Sequence, residues 1–397
     1  MSGPLEGVRI VELTSVVLGP WAAQMLGDMG ADVIKIEPPA GDTTRNIGPA
    51  RNPGMAALFL NCNRNKRSIV LDLKQPDALA ACLKLLKTAD VLVHNLRPQV
   101  VTRLGLAYEA VKAVNPEIVY CATYGYRKTG PNAEKPAYDD IIQAASGLAA
   151  MEGVKHGAPN YLPAVVCDKT TAMTVVYAIC AALFRRERHG GGQAIEVPMF
   201  ENMVAYVMSE HLFGHTFEPA EGEFGYGRVL SDHRRPYATL DGYVAVLPHT
   251  DAHWQAVLKL AGRSELLDDP RFATVARRTE NIDALYAELE AIVATRTTAQ
   301  WLKDLDAVGV PCNAVNTLQD LIDHPQLKES GFWHDVEHPT EGQLRMTSPV
   351  VGFADTPSAI RLPPPRLGQH SVEVLREAGL DDAAIDGLLA AGATTQP

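Results

Sequence analysis

The chain has no CxxC pair, and its six cysteines are scattered at 62, 82, 121, 167, 180 and 312. Such spacing offers neither a zinc site nor a disulfide framework, and a reducing cytoplasm is the simpler setting. Cations are outnumbered, 36 Lys+Arg against 47 Asp+Glu, for a net charge of −11. This balance argues against general binding of nucleic acid or of an anionic membrane surface, though an anionic ligand in a local basic pocket stays open. Long apolar runs are missing too. Ala172–Phe184 is the longest, Thr174 interrupts it, and it is too short to cross a bilayer. No signal peptide is expected, since Glu6, Arg9 and Glu12 stand where an unbroken apolar segment would have to be.

Several familiar catalytic signatures are absent as well. The first strand runs into Thr14-Ser15-Val16-Val17-Leu18-Gly19-Pro20, one glycine followed by proline, and not G-x-G-x-x-G. No GxxxxGK[ST] occurs, so NAD and ATP are poor candidates. Neither GxSxG nor HExxH is found, and His94, His211, His215 and His249 show no metal-ligand spacing. His211 and His215 sit four apart, but a half-buried pair beside a loop explains them better than a metal site. No metal is expected.

What the chain does have is globular composition, with 46% hydrophobic and 21% charged residues in 397 positions. At roughly 150 residues per domain this suggests two or three domains. Short β-branched runs at Val8–Leu13, Val33–Glu37, Ser68–Leu73, Val91–Leu96 and Ile118–Tyr124 alternate with helical patterns. In Pro76–Thr88, for instance, Leu79, Cys82, Leu83 and Leu86 share one face. Alternation of this kind predicts a parallel sheet with helices on both faces. Asp139–Met151 and Lys169–Arg188 read as long helices, Ala194–Val197 as a strand and Pro198–Phe213 as a helix. After residue 214 the pattern changes. Pro236–Pro248 reads as a hairpin turning at Asp241-Gly242, three helical patterns follow within 251–308, and strand-like pieces return at Gly331–His338 and Gln343–Phe353. Residues 225–325 therefore read as a separate, smaller α+β domain between 1–214, which looks Rossmann-like, and 330–397.

Two sets of residues suggest chemistry. Arg45, Arg51, Arg64, Lys66, Arg67, Lys74, Arg97 and Arg103 lie around the expected strands, several of them in loops at the carboxyl ends. In a parallel sheet those loops converge on the ligand crevice, so the cations either hold a polyphosphate or are solvated surface charge. Asp168 is delivered by the apolar run Ala164-Val165-Val166-Cys167, and a helix begins right after it. Spacing alone favours a helix N-cap. The chemical alternative is a carboxylate nucleophile beside the positive end of a helix, which favours the ionised form against the effect of burial.

The order of motifs carries a resemblance. Pro4-Leu5-Glu6-Gly7-Val8-Arg9-Ile10, Gly19-Pro20, Gly30-Ala31-Asp32-Val33-Ile34-Lys35-Ile36-Glu37-Pro38-Pro39, Gly41-Asp42, Asn65-Lys66-Arg67-Ser68, Asn95-Leu96-Arg97-Pro98, Gly190-Gly191-Gly192-Gln193 and Leu367-Gly368-Gln369-His370 follow one another along nearly the whole chain. Together they resemble the family III coenzyme A transferases, the group of formyl-CoA transferase, carnitine CoA-transferase and the α-methylacyl-CoA racemases. The resemblance implies an interlocked homodimer of α/β chains, each with a large Rossmann-like domain made from both chain ends, 1–214 and 330–397, and a small domain between them. It implies a CoA-transferase moving CoA between an acyl-CoA and a free carboxylic acid, with no cofactor beyond CoA as substrate. Asp168 matches the family's catalytic aspartate, which implies an aspartyl anhydride and then an aspartyl-CoA thioester. CoA contacts carry over to Val17, Leu18, Leu71, Lys74, Asn95, Leu96, Arg97, Arg103, Ala137, Tyr138 and Asp139.

Departures from the family narrow this. Formyl-CoA transferases carry Gln where this chain has Val17 and Arg where it has Pro38. Their run of active-site glycines is reduced here to Gly222, Gly225 and Gly227, which makes oxalate and formate poor substrates. The racemase branch carries His at the position of Tyr138. A racemase needs two acid/base groups, so transfer is expected over the alternative, an acyl-CoA racemase or isomerase on the same fold. Arg228, Arg234 and Arg235 either hold a second carboxylate, as in succinate, or form salt bridges at a dimer interface.

Overall fold

The β-branched runs become the strands of one sheet. In a computed structural model that describes residues 3–397, Arg9–Leu13 (β1), Asp32–Glu37 (β2), Lys66–Val70 (β3), Val91–His94 (β4), Val119–Ala122 (β5) and Gln193–Glu196 (β6) pair in the order β3-β2-β1-β4-β5-β6. All five pairings are parallel. The order reverses between β1 and β4, and in such a sheet the crevice outside the strands' carboxyl ends at that point is where ligands bind. Leu13 and His94 are register partners at that point, so the segments beginning at Thr14 and Asn95 leave the sheet side by side.

The two faces of the sheet differ. Val11, Leu13, Ile34, Ile36, Ile69 and Leu92 belong to one apolar cluster with Ala78, Cys82 and Leu85 of the Pro76–Leu86 helix and Val374 and Leu375 of the Ser371–Glu377 helix. That last helix brings the chain end back against β3, as expected for a large domain made from both ends. The other face carries Glu12, Lys35, Lys66 and Ser68, all at 0% exposure. A strand face that is buried on both sides normally reads as apolar, and charged residues there need partners.

The chain divides into two compact units, 1–147 with 161–206 and 329–397, and 148–160 with 207–328. This differs from the expected 1–214, 225–325 and 330–397 at one instructive place. Asp139–Met151 is not one helix. Asp139–Ala145 stops at Ser146 and Gly147, and a separate helix, Leu148–His156, begins in the other unit. Gly147 has φ +90°, which glycine accepts without a Cβ penalty. The second unit contains Tyr237–Ala238 (β7) and Tyr243–Val246 (β8), the hairpin turning at Asp241-Gly242, with Cys312–Ala314 (β9) added on. Trp254, Tyr286, Leu289 and Trp301 are prominent in its core.

The helix after Asp168 is longer than the sequence suggests. It spans Val166–His189, 24 residues, and by length and composition it is apolar enough to cross a bilayer, unlike the shorter run Ala172–Phe184. One face, including Ala172, Val175, Ile179 and Leu183, is buried in the first unit.

Candidate active site

Asp168 is not a helix cap. It is the third residue of the Val166–His189 helix, within its first turn, and the cap residue Val165 contributes no side-chain bond. A distant carboxylate does that work. Asp139 Oδ1 accepts from the backbone N–H groups of Cys167 at 2.7 Å and Asp168 at 3.0 Å. Gln143 Nε2 donates to Asp139 Oδ2 at 2.6 Å, and Gln143 Oε1 in turn accepts from Leu162 N at 2.9 Å. Asp139 is thus committed to backbone at the helix start and does not line the cavity, where direct contact with CoA had been expected.

With its helix capped by another residue, the Asp168 carboxylate is left free. Among the described residues no side-chain or backbone donor bonds it, although only 8% of the residue is exposed. Burial pushes its pKa up, and the nearby Asp139 carboxylate pushes it further, to about 7. The helix end does not hold it in the usual carboxylate range, contrary to the expectation. Two of the N–H groups that would favour the anion are bonded to Asp139.

Asp168 lines a cavity of about 300 Å³ with Ser15, Val16, Leu18, Asn95, Leu96, Arg97, Tyr124, Ala137, Tyr138 and Met199 among its walls. A second cavity of about 310 Å³ shares Ser15, Asn95 and Leu96 with it and runs past Leu71, Leu73, Lys74, Ile36, Pro38 and Leu104. The two together make a cleft at the switch point of the sheet, with Asp168 at one end and Lys74 at the other. Leu18, Leu71, Lys74, Asn95, Leu96, Arg97, Ala137, Tyr138 and Asp168 all line it. Val17, Arg103 and Asp139 do not. Val17 is 4% exposed and packed inside, and Arg103 is exposed at the end of the Pro98–Arg103 helix. Ser15, Val16, Tyr124 and Met199 were missed because their residue types carry no chemical signal.

Leu18, the first residue of the helix Leu18–Asp28 (α1), also lines the cleft. This helix too lacks a side-chain cap. Among the described residues no acceptor takes the N–H groups of Leu18 and Gly19. Open N–H groups at a helix start favour negative charge.

Most of the cations proposed for a polyphosphate serve the fold instead. Arg45 is 2% exposed and grips Glu37 through two bonds of 2.7 Å, with its guanidinium 3.7 Å over the Phe59 ring. Arg64 pairs with Asp28 at 2.7 Å, and Arg67 with Asp32, Glu373 and Glu377. Lys66 meets Glu12 at 2.8 Å inside the sheet face, and Arg51 bonds the Glu341 carbonyl. Lys74 and Arg97 remain in the cleft. The histidine pair is likewise structural. His211 Nδ1 accepts from Tyr226 N at 3.2 Å, and His215 stacks on Phe224.

Comparison with known proteins agrees with this geometry. Residues 5–371 match the family model described as CoA-transferase family III. The chain belongs to that family. A succinyl-CoA:glutarate CoA-transferase from Mus musculus is 34% identical, covering 99% of this chain and 91% of its own length. A succinate–glutarate CoA-transferase from Agrobacterium fabrum is 32% identical, covering 94% and 95%. The crystal structure of a CAIB/BAIF family protein from Brucella suis superposes with a TM-score of 0.80 at 32% identity, covering 95% of this chain and 100% of that one. The protein is therefore a CoA-transferase whose substrates are an acyl-CoA and a carboxylate.

Proposed function

We propose that this family III CoA-transferase moves CoA between C4–C6 dicarboxylates through covalent intermediates on Asp168. The observation that carries it is the Asp168 carboxylate, buried, free of hydrogen bonds among the described residues and facing the cleft beside an uncapped helix start. Its oxygen attacks the donor thioester and CoA thiolate leaves, giving a mixed anhydride. The thiolate then attacks the aspartyl carbonyl, which forms aspartyl-CoA and releases the donor acid carrying the bridging oxygen. The acceptor carboxylate reverses both steps. The N–H groups at the start of α1 stabilise the tetrahedral oxyanions. CoA lies along the cleft, with Lys74 and Arg97 toward its phosphates.

Support for a dicarboxylate comes from the relatives named for succinyl-CoA, succinate and glutarate. Of the arginines after residue 227, Arg235 is taken by Glu290 at 2.6 Å, Arg228 donates to the Tyr286 hydroxyl at 2.8 Å, and Arg234 lines a cavity of about 470 Å³ within the second unit. Two chains interlock as a homodimer, which the division of the first unit into three segments supports.

The test is exchange of CoA from succinyl-CoA to ¹⁸O-labelled glutarate, followed by mass spectrometry. Glutaryl-CoA should form, and over several turnovers the label should reach free succinate through Asp168. Transfer without label in succinate would overturn the aspartyl route. Absence of transfer to any C4–C6 dicarboxylate would overturn the substrate class.

A further inference from the structure

Val16 has φ +73°, the left-handed region, which is a genuine outlier for a β-branched residue. It lines the cavity of Asp168 and lies two residues before α1. The surrounding side chains hold this segment residue by residue. Thr14 O accepts from Lys35 Nζ at 2.9 Å, and the Thr14 hydroxyl donates to Glu12 Oε1 at 2.6 Å. Ser15 is gripped at both backbone atoms by Asn95, N–H to Oδ1 at 3.2 Å and carbonyl from Nδ2 at 2.9 Å. Val16 N–H reaches Asp42 Oδ1 at 3.3 Å.

Asp42 is itself fixed. It is 3% exposed, Oδ1 accepts from the Thr44 N–H at 3.0 Å and hydroxyl at 2.8 Å, and Oδ2 meets Lys35 Nζ at 3.0 Å. Lys35 in turn meets Glu12, the partner of Lys66, and Lys66 Nζ also holds the Pro20 carbonyl of α1 at 2.8 Å. The charged face of the sheet is thus a buried frame under the turn between β1 and α1.

We propose that Asp42 is a positioning residue that holds Val16 in its left-handed conformation and so aims the N–H groups at the start of α1 at the carbonyl oxygen of the acyl group bound beside Asp168. This rests on the aspartyl route above. Asn95, expected to contact CoA, has both side-chain polar atoms committed to Ser15 and belongs to the same frame. Neither residue needs to touch the reacting atoms.

The experiment compares Asp42→Ala, the double variant Asp42→Ala with Val16→Gly, and Asp42→Asn, in the full-length enzyme. Glycine takes φ +73° unaided, so it supplies the turn conformation without Asp42. The expected result is a kcat for Asp42→Ala at least tenfold below the parent, with the KM for acyl-CoA and the dissociation constant of CoA changed less than threefold. Adding Val16→Gly should restore kcat severalfold without raising the melting temperature to the parent value. Asp42→Asn keeps the acceptor for Val16 and removes only the charge beside Lys35. It should retain more kcat than Asp42→Ala. A folded Asp42→Ala enzyme with a fully parental kcat at reduced stability, or a double variant no faster than Asp42→Ala, overturns the positioning role. Should Asp42→Ala not fold, Val16→Pro, which forbids the left-handed conformation, must lose kcat in a folded protein, and parental turnover there overturns the proposal. Asp168→Asn run alongside separates the two ideas. Residual turnover in that variant defeats the aspartyl route, whatever Asp42 does.

Discussion

A carboxylate with a pKa near 7 is a nucleophile whose activity depends on pH, and Asp168 carries that property for two reasons, burial and the neighbouring Asp139 carboxylate. Turnover should rise with pH through about 7, because only the anion attacks. Asp139→Asn keeps an oxygen to cap the helix but removes the charge that pushes Asp168 up. The rising limb of its kcat/KM profile should therefore move to lower pH. An unmoved limb would show that burial alone sets the value. Stability follows the same logic with a definite sign. The folded pKa lies above the ordinary 3.8, so between about pH 4 and 7 the folded state binds more protons than the unfolded one. The contribution of this group is lost as pH rises through that window. Asp168→Asn should abolish exchange and yet be more stable than the parent above pH 7, by on the order of 2–4 kcal/mol, with little difference near pH 4. Denaturation at both pH values checks it. Tyr138, 64% exposed in the cavity wall, occupies the second position that a racemase fills with a base. A phenol is a poor one. A 2-methylacyl-CoA incubated in deuterated water should keep its α-hydrogen and its chirality.

Elements were far more legible in the sequence than the partners inside them. Each strand of the parallel sheet was visible because β-branched runs alternate with helical periodicity, and the observed ends shift by a few residues. The Asp168 helix was placed but begun late, since its true cap, Asp139, lies 29 positions before Asp168 and no local pattern joins them. The cations around the strands were visible too, but not what they bind. Arg45 meets Glu37 across a loop, Arg67 meets Glu377 from the far end of the chain, and Lys66 meets Glu12 on a strand that is not its neighbour in the sheet. This separates two groups by experiment. Glu37→Ala leaves a buried guanidinium unpaired and should cost about 3–5 kcal/mol of stability. Lys74→Ala and Arg97→Ala, in the cleft, should change stability by no more than about 0.5 kcal/mol and raise the KM for acyl-CoA instead. Chemical denaturation and steady-state kinetics on the same preparations distinguish them.

At the scale of the whole molecule, the question is what covers the outer face of the Val166–His189 helix. Its inner face is buried in the first unit, but Met173, Tyr177 and Phe184, at positions separated by four and seven, remain 49%, 64% and 63% exposed. Those spacings put the three on one stripe, and an exposed apolar stripe on a folded chain marks an interaction surface. The same helix is apolar enough to suit a bilayer, so a membrane and a second copy of the chain make different forecasts. The first unit is built from three segments with the second unit lying between them in sequence, an arrangement compatible with an interlocked pair of chains. We expect a two-chain mass in sedimentation at nanomolar dilution. Interlocking adds a kinetic demand that simple docking does not. Two chains threaded through each other exchange only by unfolding. Differently tagged preparations should therefore stay unmixed for days at 25 °C and form mixed dimers only after denaturation and refolding together. Mixing within minutes in native buffer would mean that two chains dock through the stripe without interlocking. A single-chain mass together with binding to lipid vesicles would assign the stripe to a membrane.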